Sequence, residues 1–151
     1  MNYNQLFSSF QDQQIMVALI GAGQFGETFI RQCRRISGMQ ISFVCDLQPE
    51  RARAALLAAG YDKSAFVSVG SNEEAARALN NGQIIITADY RLISGLALHC
   101  VVEATGSPEA AAQVGQITLM SGFHLVMITK EADIVVGPYL HKLAKAAGRH
   151  V

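Results

Sequence analysis

Three glycines in one short stretch have the spacing that lets a backbone approach phosphate groups closely. Gly21, Gly23 and Gly26 form the pattern G-x-G-x-x-G within M-V-A-L-I-G-A-G-Q-F-G, residues 16–26. In this pattern the first glycine permits a tight turn, the second leaves space for a pyrophosphate, and the third lets a helix pack against a strand. The helix that follows points free N–H groups and its positive dipole end at the phosphates. The spacing therefore predicts a dinucleotide site.

An acid at the expected distance supports this prediction. Asp46 follows the apolar run 41–45 and lies twenty residues after Gly26, the place for a carboxylate that binds the adenosine ribose hydroxyls. In the alternative interpretation, the segment is a plain strand–turn–helix connection and Asp46 caps the next helix. The charge of Asp46 would repel a 2′-phosphate and so favours NAD, whereas Arg51 and Arg53 would favour NADP if Asp46 turned away.

Two later loops carry polar residues at the ends of apolar runs. In E-A-T-G-S-P, residues 103–108, Thr105 and Gly106 offer a hydroxyl and an unobstructed backbone on the nicotinamide side, although this loop could also be a simple helix cap. Lys130 directly follows another apolar run. There it could neutralise a phosphate, orient a substrate hydroxyl or move a proton, or it could be an ordinary surface lysine.

The elements that must position these residues are short apolar strands alternating with helices. Strands are predicted at 15–20, 41–45, 65–69, 84–87, 98–103 and 123–128, and helices at 24–37, from 49 towards Gly60, from the Ser71 cap to 79, 108–120 and 134–147. This alternation predicts an α/β fold with a doubly wound parallel sheet, a Rossmann-type NAD(P)-binding domain. Residues 15–151 would form the domain, preceded by a leader helix over 1–14.

Composition narrows the function further. The 12 basic and 12 acidic residues give a formal net charge of zero, so no nucleic-acid partner is expected. No apolar run approaches the roughly 20 residues that span a membrane. Cys33, Cys45 and Cys100 are far apart and are predicted to be small buried side chains, which suits the cytoplasm. The histidines lack metal-ligand spacing, so no metal site is predicted.

At its three loops the chain resembles the NAD(P)-binding domain of homoserine dehydrogenase. The matching features are V-A-L-I-G-A-G-Q-F-G, V-C-D, V-V-E-A-T-G-S-P and the lysine at position 130. Through K-E-A-D-I-V-V-G-P-Y-L, residues 130–140, it is more similar to the homoserine-dehydrogenase-like oxidoreductases that carry a SAF domain. That group includes reductoisomerase-like enzymes that act on deoxyxylulose phosphate.

The resemblance implies a role for each matching residue. The pyrophosphate would be bound by Gly21, Gly23, Gln24, Phe25 and Gly26. Asp46 would bind the adenosine ribose, Thr105 and Gly106 would flank the nicotinamide ribose, and Lys130 would lie near the hydride-transfer centre.

The resemblance also implies what the complete enzyme does. Family members continue into a second domain that supplies most substrate-binding groups. The chain is therefore expected to be the cofactor domain of an oxidoreductase for a small hydroxy or carbonyl substrate. A homo-oligomer is also expected. Two other functions fit the residues: a non-catalytic dinucleotide sensor, and a domain for another adenosine ligand such as S-adenosylmethionine.

Overall fold

The structure is a computed structural model, and it describes residues 14–151. The predicted leader helix lies outside the described residues, apart from Gln14. Within the described residues, no helix is both long enough and apolar enough to cross a membrane.

Six parallel strands form one sheet with helices on both faces. The strands are β1 Ile15–Ile20, β2 Met39–Cys45, β3 Phe66–Ser68, β4 Ile84–Thr87, β5 Cys100–Glu103 and β6 His124–Met127. The helices are α1 Gln24–Cys33, α2 Pro49–Ala58, α3 Asn72–Asn80, α4 Pro108–Met120 and α5 Lys130–Ala147, with 3₁₀ turns at Lys63–Ala65 and Tyr90–Ile93. The strand order is β3-β4-β2-β1-β5-β6. The predicted doubly wound α/β fold is confirmed.

The sheet is buried on both faces, which explains why its strands are continuous apolar runs. Successive side chains of a strand point to opposite faces. On one face Leu19 and Val44 pack with Ile30 of α1, and on the other Ala18 and Phe43 share a cluster with residues such as Val114 of α4.

The strand order reverses beside β1. The chain first builds β2, β3 and β4 on one side of β1, and then crosses to β5 and β6 on the other side. In open parallel sheets the crevice for a ligand lies at such a switch point, outside the carboxyl ends of the strands. The loops after β1, β2 and β5 therefore meet around this crevice.

The start of α5 differs from the prediction. The helix begins at Lys130 rather than at Ile134, and Pro138 lies inside it. Thr129 takes the N-cap position, and the acidic side chains of Glu131 and Asp133 suit the first turn. Pro138 is exposed, so water can replace the one backbone hydrogen bond that its missing N–H removes. The predicted end is confirmed, because Gly148 closes the helix with a φ of 64°.

Candidate functional site

The three glycines of the loop after β1 have three different surroundings. Gly21 has a φ of 104°, and a side chain there would collide with the carbonyl oxygen of Ala104. A side chain at Gly26 would collide with the carbonyl oxygen of Gly21. In contrast, a Cβ at Gly23 would meet nothing within 4 Å. The first and third glycines thus permit close packing, while the second leaves open space in front of the loop.

Helix α1 begins at this open space. Gly23 is its N-cap and supplies no side-chain hydrogen bond, so the first N–H groups of the helix are left for solvent or a ligand. Gln24 and Phe25 occupy the first turn and are exposed. The Phe25 ring stacks on Phe29, with centroids 6.1 Å apart. An anion in front of Gly23 would face uncapped N–H groups and the positive end of the helix dipole.

Asp46 connects the loop after β2 to the glycine loop. Its Oδ2 accepts a hydrogen bond from the Ala22 N–H and its Oδ1 accepts one from the Gln48 N–H, both at 2.9 Å. Gln48 is the N-cap of α2, so the carboxylate does stabilise the approach to that helix. It is only partly buried, and a carboxylate has about four acceptor positions. Asp46 therefore retains the capacity to accept further hydrogen bonds.

A crevice of about 290 Å³ lies at the carboxyl ends of the strands. Gly21, Asp46 and Thr105 line it together, with Arg51 and Ser107. A second depression of about 510 Å³ separates α1 from α2, and its lining includes Gly23, Gln24 and again Arg51. The structure thus brings together residues from all three strands at the switch point.

Glu103 is a site residue that the sequence analysis missed. It ends β5 and is completely buried. Its Oε1 accepts hydrogen bonds from the Thr105 N–H at 2.7 Å, the Thr105 hydroxyl at 2.7 Å and the Thr129 hydroxyl at 2.9 Å. Its Oε2 accepts one from the Thr129 N–H at 3.2 Å. An acid at the end of an apolar strand, followed two residues later by threonine, was the available signal.

The same cluster fixes the position of Gly106. The Gly106 N–H donates to the Thr129 hydroxyl oxygen at 3.0 Å, so the loop after β5 is joined to the start of α5. Lys130 is the next residue and is exposed. It lies at the end of edge strand β6, two strands from β1, and is not part of the crevice lining. Thr105 and Asp46 thus line the same crevice, whereas Lys130 lies outside its lining.

Thiols and imidazoles add little chemistry to this crevice. Burial raises the pKa of Cys45 to about 12, helped by the charges of Asp46 and Asp89, and burial raises the pKa of Cys33 and Cys100 to about 11. His99 lies at the opposite end of the sheet, where its Nδ1 accepts the Met16 N–H at 2.9 Å. Among residues 14–151 no three potential ligands come together as a metal site.

One protein family matches this sequence. The family is described as NADP oxidoreductase, coenzyme F420-dependent, and its match covers residues 16–91. That segment contains the glycine loop and Asp46 but ends before β5. No curated protein matches the sequence significantly.

Several solved structures share the fold. The WlbA dehydrogenase from Bordetella pertussis, in complex with NADH and UDP-GlcNAcA, has a TM-score of 0.66 and 18% identity over 92% of this chain and 38% of its own. The myo-inositol dehydrogenase from Lactobacillus casei, in complex with NAD(H) and myo-inositol, has a TM-score of 0.65 and 14% identity over 89% of this chain and 34% of its own. The S. aureus homoserine dehydrogenase has a TM-score of 0.59 and 20% identity over 91% of this chain and 31% of its own.

Identities this low establish the fold alone. The chain spans only about a third of the length of these three structures.

Proposed function

The chain belongs to the family described as NADP oxidoreductase, coenzyme F420-dependent, and on this basis we propose that it is the cofactor domain of an oxidoreductase similar to homoserine dehydrogenase. The observation that carries the proposal is the shared crevice. Gly21, Asp46 and Thr105 come from three different strand ends and line one cavity at the switch point of the sheet. This is where Rossmann-type domains bind a dinucleotide.

The glycine loop fits a pyrophosphate. The open space at Gly23 allows close approach, and the uncapped start of α1 offers N–H donors at a positive dipole end. Gly21 and Gly26 keep the loop in this shape, since any side chain at either would strike backbone. Gln24 and Phe25 are exposed in the first turn, and we assign both to the same phosphate contact.

Asp46 is assigned to the adenosine ribose. It lines the crevice beside Gly21 and keeps spare acceptor capacity. Its negative charge disfavours a 2′-phosphate, which supports NAD as the preferred cofactor. Arg53 is engaged by Ser68 at 2.9 Å and by Glu50 at 3.3 Å. Arg51 is thus the better placed arginine for a 2′-phosphate, because it lines both cavities.

The nicotinamide side is assigned to Thr105 and Gly106. Lys130 lies outside the crevice lining, and we assign it to the reacting carbon on the resemblance to homoserine dehydrogenase. A bound nicotinamide supplies the hydride acceptor or donor. The protein orients the ring, and Lys130 would hold a substrate oxygen or move its proton. The WlbA structure contains UDP-GlcNAcA together with NADH, and the myo-inositol dehydrogenase structure contains myo-inositol together with NAD(H), which supports a small hydroxy or carbonyl substrate. We assign most contacts with it to a second domain.

The test is a titration of the purified chain with NADH and with NADPH, followed by nicotinamide fluorescence. We expect NADH to bind more tightly, and Asp46→Ala to weaken NADH binding about tenfold, a loss of about 1.4 kcal/mol. Folded protein that binds neither cofactor would overturn the proposed function. Tighter binding of NADPH would overturn only the preference for NAD, and an unaltered NADH affinity in Asp46→Ala would remove the ribose assignment.

A further inference from the structure

We propose that Glu103 is the positioning residue of the nicotinamide side. Its buried carboxylate holds the loop of Thr105 and Gly106 and the start of α5 in one arrangement. By holding this loop, the carboxylate sets the affinity for the nicotinamide half of the cofactor without contacting the cofactor itself. The inference rests on the proposed function and adds to it a residue that neither the glycine pattern nor the family match includes.

Burial makes this role specific to a carboxylate. Glu103 has no exposed surface, and an ionised acid in such a place is tolerated only when donors replace its water. Four donors do so, two from Thr105 and two from Thr129. The two threonines come from different loops, one after β5 and one after β6. The carboxylate is therefore the common partner of two segments that are 24 residues apart in the chain.

The cluster has a definite direction of donation. The Thr129 hydroxyl donates to Glu103, so its oxygen is left to accept the Gly106 N–H. The Thr105 hydroxyl likewise donates to Glu103, and its oxygen accepts the Ser107 N–H at 3.2 Å. The Ser107 carbonyl oxygen is a second acceptor for the Thr105 hydroxyl at 3.3 Å, but the contact with Glu103 at 2.7 Å is the shorter one. The acid thus orders the backbone of residues 105–107 through two intermediate hydroxyl groups.

A glutamine at this position would weaken the connection between the two loops. Three of the four donors converge on Oε1, while Oε2 receives only the Thr129 N–H. An amide can keep its oxygen at the Oε1 position, but its NH₂ group then faces the Thr129 N–H, and both are donors. Glu103→Gln should therefore retain the fold and the three hydrogen bonds to Oε1, yet lose the one from the Thr129 N–H and so weaken the attachment of the start of α5.

Thr129 offers a matched pair of variants. Thr129→Val replaces the hydroxyl by a methyl group of similar size, and so removes one acceptor from Gly106 and one donor from Glu103. Thr129→Ser keeps the hydroxyl and loses only the methyl group. A difference between these two variants reports on the hydrogen bonds rather than on packing.

The experiment compares a whole cofactor with its adenosine half. NADH and ADP-ribose are titrated into wild-type protein and into Glu103→Gln, Thr129→Val and Thr129→Ser, each checked for a cooperative thermal transition. We expect NADH to bind about tenfold more weakly to Glu103→Gln and Thr129→Val, while ADP-ribose binding changes less than about twofold. Thr129→Ser should match the wild type for both ligands.

Three outcomes would contradict the positioning role, and a fourth would contradict the proposed function. Equal losses for NADH and ADP-ribose, or no loss of NADH affinity in the two test variants, would overturn the positioning role. If the wild-type protein binds ADP-ribose and NADH equally, the nicotinamide side is not used and the inference is also wrong. If the folded wild type binds neither ligand, the proposed function itself fails.

Backbone hydrogen exchange tests the same inference without any ligand. The Gly106 N–H should exchange at least about tenfold faster in Thr129→Val than in Thr129→Ser, because only the valine variant removes its acceptor. Equal exchange rates at Gly106 in the two variants would contradict the role of this cluster in ordering the loop.

Discussion

Two acids flank the glycine loop, one on each side of the central strand, and they serve different purposes. Ile20 at the end of β1 is paired with Cys45 on one side and with Glu103 on the other, and Asp46 directly follows Cys45. Asp46 is partly buried and accepts two backbone N–H groups. Glu103 is fully buried and accepts four donors, two of them hydroxyls.

Exposure therefore decides what a carboxylate at a strand end can do. Asp46 still faces the crevice, so it can recognise a ligand. Glu103 is surrounded by its own loops and can only arrange them. Under the proposed function, ligand recognition and loop positioning are therefore divided between the two sides of β1. The family match covers only the side that contains Asp46.

The largest change in the free energy of unfolding should come from the variants that remove one of the two acids. In Glu103→Ala four donors lose their acceptor in a buried cluster, and we expect the free energy of unfolding to fall by about 3–5 kcal/mol. In Asp46→Ala water can reach the two released N–H groups, and the loss should stay near about 1 kcal/mol. Urea denaturation measures both. Equal losses would contradict the distinction between the two acids.

An intermediate effect should separate the glycines of the loop. Gly26→Ala places a Cβ against the carbonyl oxygen of Gly21, so the free energy of unfolding should fall by about 1–3 kcal/mol. Gly23→Ala meets nothing within 4 Å and should cost less than about 1 kcal/mol. The methyl group of Gly23→Ala should nevertheless weaken the binding of NADH, because it fills the space assigned to the pyrophosphate. Stability assays and the NADH titration distinguish the two outcomes.

The smallest effect concerns the thiols on the two sides. Folding raises the pKa of Cys45 to about 12 and that of Cys100 to about 11. Because the folded pKa is the higher one, the stabilisation is complete below about pH 9 and decreases as the pH rises towards 11–12. Stability should therefore fall by an amount on the order of 1 kcal/mol per thiol between pH 7.5 and 10.5.

The control for the thiol prediction is a pair of variants. Cys45→Ala and Cys100→Ala should each reduce the dependence of urea stability on pH in this range. The reduction should be similar for the two variants, because both thiols stay largely protonated in the folded protein over this range and the loss is set by their ionisation in the unfolded chain. An unchanged pH dependence in Cys45→Ala would show that folding does not raise the pKa of this thiol.

The sequence predicted secondary structure correctly where the signal lay within a few residues. The predicted bounds of β4 and α4 are confirmed, and the Ser71 cap is confirmed by the Glu74 N–H, which donates to the Ser71 hydroxyl oxygen at 3.2 Å. These features depend on apolar runs, caps and turn residues, whose effects are local. The predicted start of α5 at 134 was wrong, because the mostly polar residues from Lys130 to Asp133 already form its first turn.

The alternation of strands and helices and the position of the glycine loop follow from the sequence alone, because backbone sterics and hydrophobic patterning act over short distances. Which strand-end acid is buried depends instead on how the strands pack together. Glu103 depends on Thr129, which lies 26 residues away on the far side of a crossover helix. No pattern in the chain records that pairing, since it exists only once β5 and β6 lie side by side.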